Sequence, residues 1–207
     1  MNTAITERVW VADAHQSFFL RQDDIDELLY GGPKGTGKSD AVLMFSIRRR
    51  KKFPGSSGLI LRRKLTDLNK EGALIPRSHQ ILSGLAHYNS NLHKWHFPDG
   101  GMIEFGYANR DDDVFNYQGA SYDDIVLEQA EQLTPFAYKI LLSAARTTRK
   151  DLKPLVRATA NPGGRNHVFL KSRFIQRGEQ RVPEKTRVEQ DGRSFMWLRG
   201  QMSAHLN

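Results

Sequence analysis

The chain has 207 residues, with 31 Lys and Arg against 23 Asp and Glu, a formal charge of +8, and no cysteine. Disulfides and cysteine-based zinc or redox sites are excluded, and no apolar run reaches the ~20 residues that a membrane-spanning helix needs. The length suits one well-buried core with a small appendage, the start Met1-Asn2-Thr3-Ala4 lacks a signal-peptide pattern, and the cationic surplus favours a polyanionic partner.

In chain order, residues 14–22 pattern as a short amphipathic helix carrying Gln16. A strand over 27–30 holds Leu28-Leu29-Tyr30 and runs into Gly32-Pro33-Lys34-Gly35-Thr36-Gly37-Lys38-Ser39. That octapeptide satisfies G-x-x-x-x-G-K-[ST] at every required position. A helix over 38–51 follows, turning Val42, Phe45 and Ile47 toward a core, and ends in Arg48-Arg49-Arg50-Lys51-Lys52 before the stop signal Phe53-Pro54-Gly55. Cations at a helix C-terminus complement its dipole, so this run is expected to stay solvated. Leu59-Ile60-Leu61 reads as a buried strand with Arg62-Arg63-Lys64 at its end, and residues 66–86 read as helical.

Residues 94–97 and 102–107 flank the turn Pro98-Asp99-Gly100-Gly101 and spell a hairpin. Its alternating aromatics are expected to form half-buried strand faces and not a base-stacking platform. Asp111-Asp112-Asp113 reads as a solvated loop, and His79, His87, His93 and His96 lack the paired spacing of a zinc site. The run Asp124-Ile125-Val126-Leu127 is a compact buried strand ending in Glu128-Gln129. A helix begins near Thr134-Pro135, since Thr caps well and Pro suits a first turn. Leu155–Thr159 is a further strand, closed by Ala160-Asn161-Pro162-Gly163-Gly164.

The octapeptide at 32–39 has the chemistry of a phosphate cradle. Gly35 and Gly37 let the backbone turn tightly and aim N–H groups at one anion. Lys38 adds a mobile positive charge for the outer phosphates, and the Ser39 hydroxyl can ligate Mg²⁺. The start of the following helix adds its dipole. A nucleoside triphosphate is therefore the expected ligand. Three polar clusters, at 32–39, 128–129 and 159–161, each follow an apolar strand. Parallel strands would bring all three to one sheet edge, where ligands of open α/β sheets bind.

Glu128 is the candidate acid on the Mg²⁺ side, acting through bound water. In many ATPases the next residue is a Glu that deprotonates the attacking water; here it is Gln129. An amide cannot accept that proton, and losing a general base costs about 10²–10⁴ in rate. The sequence thus predicts ATP binding with impaired hydrolysis, with Glu131, two positions on, as a substitute base.

With these residues placed, nearly the whole chain from about residue 10 resembles the ATPase region of phage terminase large subunits, the motors that pump double-stranded DNA into procapsids. The resemblance rests on His15-Gln16 with Phe18-Phe19-Leu20, on 30–39, on Tyr117-Gln118-Gly119-Ala120-Ser121-Tyr122-Asp123-Asp124 leading into the acidic strand, and on Thr159-Ala160-Asn161-Pro162-Gly163-Gly164. It implies an α/β P-loop NTPase of the ASCE type, with a mainly parallel sheet flanked by helices and a small C-terminal subdomain. ATP and Mg²⁺ would be its cofactors. Gln16 would contact adenine, Gly32, Lys34, Gly35, Thr36, Gly37, Lys38 and Ser39 would hold the phosphates, and Thr159 and Asn161 would sense the γ-phosphate.

Some family members carry a trans-acting arginine where this chain has Gln118. If a neighbour's finger is needed, Arg146 is the first candidate and Arg110 the second, each also readable as a solvated arginine. Further implications are a homo-oligomeric ring, a portal and procapsid, a small terminase subunit, no membrane, and work in the cytoplasm of an infected bacterial host. DNA would be held by its phosphate backbone, with Arg165, Lys171, Arg173 and Arg177 best placed to reach it. Residues 1–175 would form the ATPase core and 176–207 part of a small closing subdomain, without a nuclease domain. Two other readings share these features: a different P-loop translocase or helicase, and a regulatory module that binds ATP without turning it over.

Overall fold

The computed structural model describes residues 10–200. In chain order its elements are α1 (Ala14–Leu20), β1 (Glu27–Gly31), α2 (Lys38–Lys52), β2 (Ser57–Arg62), α3 (Leu65–Leu68), α4 (Leu74–Leu82), β3 (His87–Asn89), β4 (Lys94–His96), β5 (Met102–Tyr107), β6 (Asp124–Leu127), α5 (Pro135–Ser143), β7 (Leu155–Ala160), α6 (His167–Leu170), β8 (Gln176–Arg177), β9 (Gln180–Arg181), β10 (Val188–Gln190) and β11 (Arg193–Arg199). Short 3-10 turns cover Asp111–Tyr117 and Ala130–Gln132.

Among the described residues one nine-stranded sheet runs β10-β11-β1-β7-β6-β2-β5-β4-β3. The strands from β11 to β5 are parallel, and β10, β4 and β3 extend the edges in antiparallel fashion. The central strands are apolar runs because both faces are covered. On one face Leu28, Tyr30, Ile60 and Val126 pack against Ala41, Val42 and Phe45 of α2 and Phe19 of α1. On the other Leu29, Leu61, Ile125 and Leu127 meet Tyr138 and Leu141 of α5 and Leu170 of α6. The fold is a mainly parallel α/β sheet flanked by helices, as the sequence led one to expect.

The helical stretch expected over 66–86 is two short helices, α3 and α4, separated by a turn in which Gly72 has φ +73. The aromatics of the β4–β5 hairpin are largely core: Trp95 and Phe105 are buried, and the Trp95 indole donates to the Ser78 hydroxyl at 2.8 Å. His79 packs against Tyr88 and Trp95. Asp111-Asp112-Asp113 opens a 3-10 turn in place of a loop, and Thr134 caps α5 with Pro135 at its start.

Two expectations are corrected. The basic run closing α2 is not wholly solvated: Arg49 and Arg50 are buried and both pair with the buried Asp124, which also accepts from the Ser46 hydroxyl at 3.1 Å. A carboxylate walled into the base of the sheet needs cationic partners, and that need overrides the preference of arginine for water. Nor does residue 175 mark a break in the sheet. β11 pairs with β1 in parallel along its length, so 193–199 completes the central sheet. Among the described residues, no helix is long and apolar enough to cross a membrane.

Candidate functional site

The parallel strands deliver the ends of β1, β7, β6 and β2 to one edge. There a cleft of about 280 Å³ is lined by residues 34–40 with Glu128, Gln129, Thr159 and Asn161. β7 lies between the strand that feeds the phosphate loop and the strand that ends in Glu128, so 159–161 sits between them.

The loop is held from both sides. Gly37 has φ +68, and a Cβ there would stand 2.3 Å from the Gln16 side-chain nitrogen. Only glycine meets both demands. The Gln16 amide donates to the Gly37 carbonyl at 3.1 Å, while its oxygen accepts from the Asp13 backbone at 2.9 Å in a capping box that starts α1. Gln16 thus braces the phosphate loop, and both ends of its amide are engaged. On the other flank, Gly32 N–H donates to Ala160 O at 3.0 Å.

Lys38 is buried and folds back into the loop, donating to the carbonyls of Gly32 (2.9 Å) and Pro33 (2.5 Å) and to the Thr36 hydroxyl (3.1 Å). Burial lowers its pKa, and the charges of Glu131 and then Glu128 oppose that shift. Lys34 and Ser39 are exposed at the rim.

Ser39 and Glu128 meet directly: the hydroxyl donates to Glu128 Oε1 at 2.8 Å. Glu128 is 2 % exposed, and burial raises its pKa, with Arg62 and the Ser39 hydroxyl pulling the other way. Its Oε2 is buried without a hydrogen bond, 3.2 Å from Arg62 Nε. A hydroxyl and a carboxylate side by side form a donor set that fits a hard divalent cation.

Gln129 has left-handed backbone (φ 55, ψ 51), unusual for a non-glycine residue. Its N–H donates to the Thr159 hydroxyl at 2.9 Å, and its side-chain oxygen accepts from Arg62 and Gln132, each at 2.5 Å. Sequence reasoning put Arg62 at the end of a strand; it did not foresee that Arg62 grips both Glu128 and Gln129. The available signal was only its place at the end of an apolar strand. Asn161 donates to Glu131 Oε1 at 3.0 Å, which brings Glu131 beside the cleft though not into its lining.

The remaining cations divide. Arg146 is exposed at the opposite edge, donating to Gly119 O (2.7 Å) and Ala120 O (3.1 Å), next to Gln118. It lies a strand's length from its own chain's loop. Arg110 is exposed on the cleft edge beyond β5. Arg165 and Lys171 are exposed, but Arg173 is not free for DNA: it pairs with the buried Glu27 at 2.6 Å and stacks on Phe195. The side chain of Arg177 lies outside what the structure describes.

No protein-family model matches the chain, and no curated protein matches it in sequence. Solved structures match it in fold. The large terminase of a thermophilic bacteriophage superposes with TM-score 0.69 and 13% identity, covering 96% of this chain and 48% of that one. That terminase has also been solved with ADP and with ATP-γ-S. The large terminase ATPase domain of Thermus phage P74-26 gives TM-score 0.60 and 14% identity, over 92% of this chain and 81% of that one. The N-terminal domain of the DNA packaging ATPase of bacteriophage phi29 gives 0.58 and 16%, over 92% and 97%. The chain spans about half the length of the first of these, and the likeness is one of fold.

Proposed function

We propose that this chain, which folds as the ATPase domains of phage large terminases do, is the ATP-driven motor domain of a DNA-packaging terminase. The observation that carries the reading is the meeting of Ser39 and Glu128 at 2.8 Å at the mouth of a glycine-rich phosphate loop. Glycine-freed backbone N–H groups and the start of α2 would bind the phosphates, and Lys38 would leave the Gly32 and Pro33 carbonyls to meet them. Ser39 and, through water, Glu128 would hold Mg²⁺, which supplies charge neutralisation on the phosphate oxygens. Thr159 and Asn161, between loop and acid, are suitably placed to sense the outermost phosphate.

Hydrolysis needs a group to take a proton from the attacking water. Gln129 can orient water and cannot accept its proton, so turnover is slow. The test is steady-state ATP turnover of the wild type and of Gln129→Glu. The variant should turn over about 10²–10⁴ times faster. Equal rates would remove Gln129 from the hydrolytic position. The amide at 129 is also the specific observation that favours a second reading, an ATP-binding regulatory module; a Gln129→Glu chain that binds ATP and stays inert supports that module instead. Another P-loop translocase or helicase shares the general plan, and stimulation of turnover by procapsids separates it from a terminase.

Double-stranded DNA would be held through its phosphates, since a packaging motor runs over any sequence, and the exposed Arg165 and Lys171 are suitable contacts. A homo-oligomeric ring docked on a portal, with a small terminase subunit, in the cytoplasm of an infected bacterial host, is the corresponding assembly. Within such a ring Arg146 can serve only a neighbour's cleft, given its place on the far edge of its own sheet.

A further inference from the structure

We infer that Glu131 is a positioning residue that ties the state of the nucleotide cleft to the 161–166 loop and to the helix beyond it; this rests on the nucleotide-binding reading above. Glu131 is 5 % exposed in the turn that follows β6. The 161–166 loop is latched to it at two points. Its Oε1 accepts from the Asn161 amide at 3.0 Å, and its backbone oxygen accepts from Asn166 N–H at 3.0 Å. The Asn166 amide adds a bond to Ala130 O at 3.1 Å, and Gln129 N–H reaches Thr159 at 2.9 Å.

The packing is close. A Cβ on Gly164 would stand 2.7 Å from the Glu131 backbone oxygen, so the loop lies flat on this residue only because position 164 is glycine. The second carboxylate oxygen, Oε2, is buried with no hydrogen bond. Glu131 also lines a cavity of about 230 Å³ whose apolar wall includes Leu29, Ala160, Leu170 and Trp197.

A half-satisfied buried carboxylate depends strongly on the few polar groups that face it. Here the hydrogen-bonding group is the Asn161 amide, while Lys38 feels the charge of Glu131 more than that of Glu128. Phosphates in the loop would draw Lys38 away from the Gly32 and Pro33 carbonyls. Glu131 then keeps Asn161 as its polar partner, and the bond between them carries the change into 161–166 and α6. Glu131 touches neither phosphate nor water in this scheme. It acts through Asn161.

The test is hydrogen exchange of peptides spanning 161–170, with and without Mg²⁺ and ATP-γ-S, alongside the affinity for that analogue. In the wild type, nucleotide should slow exchange there on the order of tenfold, an ordinary coupling between sites. Glu131→Gln keeps an oxygen for Asn161 and loses the charge, so it should bind the analogue with near wild-type affinity and lose the response. Glu131→Asp should recover part of it. Asn161→Ala, at a half-exposed position, breaks the same bond from the other side and should lose the response too. An undiminished response in Glu131→Gln or in Asn161→Ala overturns the inference, as does an Asp variant no better than Gln. A wild-type chain that binds no analogue fails at the earlier step, the cleft itself, and takes the inference with it.

Discussion

A carboxylate taken out of water holds its proton more tightly, and Glu128 is such a group. Burial raises its pKa, against the pull of Arg62 and the Ser39 hydroxyl. The sign follows: below the unfolded value both states are protonated and nothing is lost, and the cost of burying the charge builds as pH rises through the folded value. A cation needs the charged form. Magnesium-dependent ATP affinity should therefore fall on acidification at a pH above that of an ordinary glutamate. A titration of affinity against pH should show this step in the wild type on top of the terminal phosphate's own protonation, and only the latter in Glu128→Gln. A step at or below the ordinary value contradicts the assignment. Both residue types were legible in sequence from their places after apolar strands. The left-handed backbone of Gln129 and its grip by Arg62 were not, because they depend on β2 and β6 being neighbours.

At the scale of elements, α2 and β6 are joined at both ends. The upper joint is Ser39 to Glu128, and the lower is Arg49, Arg50 and Ser46 around Asp124. Removing one partner of a buried ion pair strands the others and costs ~3–5 kcal/mol. Asp124→Asn should lower unfolding stability in urea by about that amount. A loss below ~1 kcal/mol, typical of exposed pairs, contradicts a buried joint. The sequence showed the apolar stripe of α2 plainly through Val42 and Phe45. It hid the burial of Arg49 and Arg50, since cations at a helix end default to solvent and their acid lies far along the chain. One local signal was passed over. Asp191-Gly192 closes the β10–β11 hairpin, with both residues at positive φ, the chemistry such tight turns require.

For the whole molecule, the parallel order from β11 to β5 gathers segments remote in sequence onto one edge, and apolar runs bounded by polar clusters made that gathering foreseeable. What stayed hidden was set by tertiary pairing alone: β11 beside β1, and Arg173 and Arg193 paired with the buried Glu27. The account depends on the gathered edge being a site for a magnesium-bound triphosphate. The most direct measurement is a calorimetric titration of ATP-γ-S in Mg²⁺ into the wild type and Lys38→Ala. Loss of a charged hydrogen-bond donor to the phosphates should weaken binding by ~1.5–3 kcal/mol, roughly 10- to 150-fold. Equal affinity in the two proteins would contradict it.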